Sequence, residues 1–147
     1  VKNSCRFAVA VHVLTVLAYK DGDYVTSHFL ASSVNTNPVV IRRLLLALQK
    51  AGLVETRKGM GLGSRLARSA ARINLAQVYR AVEERDSFKT PLRKPNRECP
   101  VGRCIQNALG HVFNEAEAAL LGNLADQTLA RILGEVKKCA GESDGKR

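Results

Sequence analysis

The chain has no tryptophan, and its four phenylalanines and three tyrosines bring aromatic content to only 5% of 147 residues. A core must therefore be built from Leu, Val, Ile and Ala, a mix that favours helix packing on helix over a β-sandwich. The same scarcity argues against a binder of single strands, whose bases would need a platform of exposed rings. Four cysteines are too few for a disulfide-stapled scaffold, and in a reducing compartment they read as free thiols, metal ligands or redox sensors. Long apolar runs are missing too. The longest, Phe7 to Tyr19, is interrupted by His12 and Thr15 and is too short to span a bilayer. No small-residue cleavage site follows it, so it reads as a core helix rather than a signal peptide, and a cytoplasmic location is expected. Nor is there a phosphate-binding glycine loop ending in Lys-Ser/Thr, a nucleophile elbow or a familiar carboxylate or histidine constellation, so no enzyme is expected. His12, on a mostly apolar helix, reads as a hydrogen-bonded core histidine and His28 as exposed. Neither has a cysteine or carboxylate at metal spacing, and no metal site is expected.

Acidic residues are the last shortage: 13 against 23 Lys and Arg, for a net charge of +10. Placement matters more than the total. Residues 37–72 hold eight basic side chains and one acidic one, which makes a face that attracts phosphates and releases their counterions. Charge alone leaves a merely solvated surface as the alternative.

The elements themselves are mainly helical, with one small β-hairpin. Phe7, Val11, Leu14 and Leu17 recur at helical spacing from Ser4 to about Lys20, and Asp21-Gly22-Asp23 breaks the pattern. Thr26 is a fitting N-cap for a short helix to about Ser33, with Phe29 and Leu30 turned inward. A third helix is capped by Asn37, starts on Pro38 and is stopped by Gly52. Its Ile41, Leu44, Leu45 and Leu48 form an apolar stripe, which leaves Val39, Arg42, Arg43 and Lys50 on the other face. Strands at Leu53–Arg57 and Ser64–Arg68 flank the glycine-rich Lys58–Gly63, a hairpin that needs a helical body to lean on. Asn74 caps a further helix with Leu75, Val78, Tyr79 and Val82 on one side. After a loop at 85–98, a long helix begins at Pro100 and aligns Ile105, Leu109, Val112, Phe113, Ala116, Leu120 and Leu124. A helix of about 20 residues reaches about 30 Å, more than the small body can cover, so its apolar side is expected to meet a second copy. A last helix is expected from Gln127 to Lys138.

Three helices followed by a two-stranded wing is the order of a winged helix-turn-helix, here with a long C-terminal dimerisation helix. The expected division is a DNA-binding domain at 1–84 and a loop, dimer helix and tail at 85–147. The third helix has one face to anchor and a basic face for the major groove, with Arg42 and Arg43 placed for guanine edges. Arg57, Lys58 and Arg65 supply wing charge, and the wing glycines permit close backbone approach. The expected partner is duplex DNA with a palindromic operator, bound by a homodimer. A basic DNA- or RNA-binding module without sequence preference is the competing reading.

Five segments occur in order: Ser4-Cys5-Arg6-Phe7-Ala8-Val9, Val34 through Leu44, Gly59 through Gly63, Val78 through Val82, and Cys99-Pro100-Val101-Gly102. Together they resemble the Rrf-two family of bacterial winged-helix regulators from about residue 2 to 138. The resemblance implies a homodimer, most often a repressor, with the third helix in the major groove and the wing at the minor groove. It places DNA contacts at Asn37, Val39, Arg42, Arg43, Arg57, Lys58 and Arg65, alongside the wing glycines Gly61 and Gly63. Dimer contacts fall at Ile105, Leu109, Val112, Phe113 and Leu120. Cluster-binding members carry three cysteines before the dimer helix, with five residues between neighbours. Here only Cys99 and Cys104 stand there, with four residues between them, so the chain is similar to the branch with a Cys-Pro-Val-Gly motif and no cluster. Leu62 also interrupts the usual run of wing glycines.

Three readings of Cys99 and Cys104 stay open. They are small apolar residues at a helix start. They are a thiol switch, since a helix N-terminus beside Arg97 and Arg103 is a setting that makes a thiol reactive, bridging to each other or to Cys5 or Cys139. Or they hold an iron–sulfur cluster with a borrowed ligand such as His111 or Cys5, against the usual need for four ligands. No cofactor is expected on balance.

Overall fold

A computed structural model describes residues 5–59, 62–83, 88 and 93–142. Its elements run α1 (Arg6–Tyr19), α2 (Ser27–Val34), α3 (Pro38–Lys50), β1 (Val54–Thr56), β2 (Ser64–Leu66), a short 3-10 helix (Ala70–Arg72), α4 (Leu75–Val82), α5 (Pro100–Ala125) and α6 (Leu129–Cys139). Helices starting where a side-chain oxygen can accept from a free backbone N–H are the rule. Thr26 accepts from Phe29 N, Asn37 from Val39 N, and Thr128 from Arg131 N. Asn74 and Gln77 form a reciprocal capping box that starts α4. Only Asn35, Thr36 and Asn37 separate α2 from α3; Asn35 sits at φ 64 in the left-handed region, where asparagine is tolerated, and this turns the chain sharply between the helices.

The core is aliphatic. Ala10, Val13, Leu14 and Leu17 of α1, Leu30 of α2, and Ile41, Leu44, Leu45 and Leu48 of α3 meet Leu53, Ile73, Val78 and Val82 there. The expected stripe on α3 is thus fully inside. No aromatic ring is buried among the described residues; Phe7 and Tyr79 pack edge to face at its border, with centroids 5.5 Å apart.

Two expectations are corrected. Phe29 does not turn inward: it is 46% exposed, with the Lys20 ammonium over its ring at 4.9 Å. Adjacent helix positions lie about 100° apart, so Leu30 and Ala31 take the buried face and Phe29 falls outside it. His12 is likewise exposed rather than in the core, and it bonds Ser33 Oγ at 2.9 Å, tying α1 to α2. The strands are shorter than expected, with Val54 opposite Leu66, Glu55 opposite Arg65 and Thr56 opposite Ser64.

The hairpin is fastened to the body by backbone. Val25 and Ser64 exchange N–H to O bonds of 2.8 Å in both directions, which adds Val25 to the sheet as a one-residue third strand. Gly63 makes this approach feasible, because a Cβ there would lie 2.1 Å from the Val25 carbonyl oxygen. α6 also returns to the body. Leu129 N donates to Ile73 O, Leu75 N donates to Gln127 O, and the Leu129 side chain is completely buried in the core. No helix among the described residues is long and apolar enough to cross a membrane.

Candidate nucleic-acid interface

α3 is amphipathic in the strict sense. With Ile41, Leu44, Leu45 and Leu48 buried, the outer strip carries Val39 (47% exposed), Arg42, Arg43, Leu46 (58%) and Lys50. Arg42 and Arg43, adjacent in sequence, diverge by about 100° around the helix. Arg42 leans toward α2, where its Nε donates to Ser27 Oγ at 3.3 Å. Arg43 and Lys50 lie along the other flank and line an open groove with Arg6 of α1, Val40, Leu46 and Ala81 of α4. Arg6 was not among the expected contacts; it is far from α3 in sequence, and only the packing of α1 brings it alongside. Asn37 spends its side chain on the Val39 N–H at 2.8 Å, so it serves α3 as its cap.

The wing presents a second basic cluster. Arg57 and Lys58 are exposed at the end of β1. Arg65, halfway exposed, pairs with Glu55 across the strands at 3.1 Å. Both Arg57 and Arg65 lie over the ring of Tyr24, with guanidinium carbons 4.7 and 4.6 Å from its centroid. Sequence reasoning missed Tyr24, having weighed aromatic rings only as platforms for bases. The available signal was a lone ring in the polar stretch between two helices. Gly63 touches the Val25 backbone, so its lack of a side chain serves the wing's attachment. Gly61 lies outside the described residues, as do Ser4, Met60 and half of the expected 85–98 loop.

α5 is 26 residues long, about 39 Å, and not one of them is buried. Val112 is 57% exposed and Leu109 37%; Ile105, Phe113 and Leu120 are half-buried, with Phe113 stacked on Phe88 at 4.9 Å. At its start, Cys99 is the N-cap without a side-chain cap bond, and Pro100 takes the first helical position. Gly102 lets the preceding loop close down on the helix, since a Cβ there would sit 2.3 Å from the Asn96 carbonyl oxygen. The Cys-Pro-Val-Gly segment is therefore a folding signal: cap, helix starter and a gap for the incoming chain.

All four cysteines are exposed free thiols. Cys99 caps α5 with extended backbone and Cys104 lies inside the helix, which sets their Cα atoms about 8–9 Å from each other. That exceeds the reach of a disulfide, about 7 Å at most. A direct bridge between them, one of the expected switch routes, is thus closed while the first turns of α5 are wound. Among the described residues no three His, Cys, Asp or Glu side chains are grouped to hold a metal ion.

The sequence matches the profile of the Rrf2 family, described as iron-dependent transcriptional regulators, over residues 3–135. It is 37% identical over 131 residues to YwnA of Bacillus subtilis (strain 168), assigned as an HTH-type transcriptional regulator, covering 89% of this chain and 96% of that one. Among solved structures, a protein of Lactobacillus plantarum assigned as a transcriptional regulator superposes with a TM-score of 0.76 at 26% identity, over 90% of both chains. IscR of T. potens superposes with a TM-score of 0.70 over 99% of this chain and 94% of its own; at 23% identity that likeness speaks for the fold alone. A winged helix with a basic outer strip on α3 and a family match over nearly its whole length place this chain in the Rrf2 (Rrf-two) family of winged helix-turn-helix transcriptional regulators.

Proposed function

We propose that the chain is a repressor that binds a palindromic duplex operator as a homodimer, with α3 in the major groove and the wing against the neighbouring backbone and minor groove. The observation that carries this reading is the outer strip of α3, which keeps Arg42, Arg43 and Lys50 exposed on a helix whose other face is locked in the core. Arg42 and Arg43 offer bidentate donors to guanine, and Val39 and Leu46 offer apolar contact to thymine methyls. Lys50, Lys58 and the wing arginines neutralise phosphates. The part of α5's apolar side that stays exposed, at Leu109 and Val112, is the dimer face, with the half-buried Ile105, Phe113 and Leu120 beside it.

The cysteine pattern supports membership of the Cys-Pro-Val-Gly branch. The family's description includes iron, and no step of the proposed function runs through a cluster. Thiol control is the signal we favour. Oxidation joins an exposed thiol to another thiol as a disulfide, two electrons and two protons passing to an oxidant such as a peroxide. For Cys99 with Cys104 the bond forms only as the first turns of α5 unwind, which alters the dimer helix and with it the spacing of the two α3 helices.

The test is fluorescence anisotropy of a duplex from the protein's own upstream region, with reduced and then mildly oxidised protein. Tight binding lost on oxidation and regained with a reductant supports both parts. Tight binding indifferent to oxidation keeps the regulator and removes the thiol switch. Equal affinity for this duplex and random DNA shifts weight to the nonspecific basic module.

A further inference from the structure

The bridge between Val25 and Ser64 fixes the side-chain directions around the base of the wing. Side chains alternate across a sheet, so residues beside a bridge point the opposite way from those in it. Val25 and Ser64 face the core, 6% and 1% exposed. Tyr24 and Arg65, next to them and opposite each other in the extended ladder, face out. Glu55 lies across from Arg65 on the other strand, and Arg57, two residues on, shares its face. Arg57 N donates to Gly63 O at 2.9 Å, which holds that residue in the same ladder. Four outward side chains therefore meet: two guanidinium groups over one phenol ring, with a single carboxylate beside them.

Two cations near one ring repel each other, and Glu55 offsets only one of them. The Arg65–Glu55 pair is part-exposed and weak, so it exchanges readily for a stronger anion. A phosphodiester supplies that anion and accepts from both forks. We propose that Tyr24 is the positioning residue that holds Arg57 and Arg65 as one phosphate-binding fork at the base of the wing. The inference rests on the DNA-binding reading above and extends it to a residue outside both α3 and the hairpin. The ring reads no base; it fixes where the two charges stand before DNA arrives, so its effect falls on every duplex alike.

The test uses the full chain and a fluorescein-labelled random-sequence duplex, with anisotropy titrations over a range of salt concentrations. Tyr24→Leu is expected to weaken binding about three- to tenfold and to reduce the number of counterions released by about one. Tyr24→Phe keeps the ring and is expected to stay within about twofold of the native protein, because the ring face rather than the hydroxyl attracts the guanidinium. In an Arg57→Ala/Arg65→Ala background, adding Tyr24→Leu should change nothing further. Tyr24→Gln, suited to a partly exposed loop position, replaces Tyr24→Leu should the latter fail to fold by circular dichroism. Native affinity and salt dependence in both Tyr24 variants, alongside a weakened arginine double variant, would overturn the role of Tyr24 and leave the wing's role standing. A loss that persists in the double-variant background would overturn it as well, by showing that Tyr24 acts elsewhere. Native binding by the double variant would sink the wing reading on which the inference rests.

Discussion

Gly63→Ala should destabilise the protein through space alone. Gly63 lies outside the left-handed region, so alanine can adopt its backbone angles without strain. The obstacle is the Val25 backbone, whose carbonyl oxygen would be 2.1 Å and carbonyl carbon 2.4 Å from the new methyl. Backbone cannot swing aside as a side chain does, so the two 2.8 Å bonds between Val25 and Ser64 must lengthen or break. Each is worth about 1 kcal/mol net, and a buried donor left unpaired costs about 1–3 kcal/mol. Against this, alanine restricts the unfolded chain and returns about 0.4–1 kcal/mol. The balance is a loss of about 2–3 kcal/mol. With a urea dependence of about 2 kcal/mol per molar, the unfolding midpoint should fall by about 1 M. The assay is urea unfolding followed by circular dichroism at a fixed protomer concentration, because the proposed association with a second copy would also stabilise. Gly134→Ala is the companion: it lies inside α6 with nothing within 4 Å of the added methyl, and it should gain about 0.5–1 kcal/mol. A Gly63→Ala midpoint at or above the native value would refute the steric argument.

Arg42→Ala should cost about 1–3 kcal/mol on the operator and little on random duplex, whereas Lys58→Ala should weaken both alike and flatten the salt slope by about one; paired anisotropy titrations separate the two. Val112→Glu on the uncovered side of α5 should shift the protein from dimer to monomer in sedimentation equilibrium, with the far-ultraviolet dichroism retained. Leu48→Ala, at a completely buried position, should lower stability by about 2–5 kcal/mol in chemical unfolding. The Tyr19 hydroxyl donates to Glu142 at 2.6 Å, and this hydrogen bond, with the carboxylate's charge, raises the phenol above its ordinary value. The contact is therefore complete at neutral pH and lost as pH rises through the raised value; phenolate absorbance should show one tyrosine titrating late, and Glu142→Gln should return it to the ordinary range.

The helices were legible because their signals are local. Asn37-Pro38 and the later Asn74 announce starts, and α3 is long enough for its stripe to define a face. α2 has only eight residues, so its periodicity left the inward face open by one position, and Phe29 fell on the wrong side of it. The basic residues of the candidate site were named from charge, but their division over two flanks of α3 could not be. Arg42 and Arg43 part because α3 packs with α2 on one side and α1 and α4 on the other, a consequence of three-dimensional packing. Tyr24 was hidden for the same reason: its partners are 33 and 41 residues away, joined to it only by the Val25–Ser64 bridge. The cysteines show the converse, since Cys99 and Cys104 are close in sequence and are kept apart by the first turn of the helix that Cys99 caps and Cys104 belongs to.

The return of α6 has a consequence for how this protein can be divided. Leu129 fills the centre of a core otherwise made by residues 10–82, and the backbone around Ile73–Leu75 is completed by Gln127 and Leu129. A fragment ending after α4 would have every side chain of the proposed DNA face and still open a hole in its interior, so residues up to α4 do not complete their own core. The chain leaves the body along α5 and closes it again on the way back. Deletion or insertion within that excursion is therefore constrained at both ends, and any movement of α5 has two fixed points, rather than one hinge, at which to pull on the body.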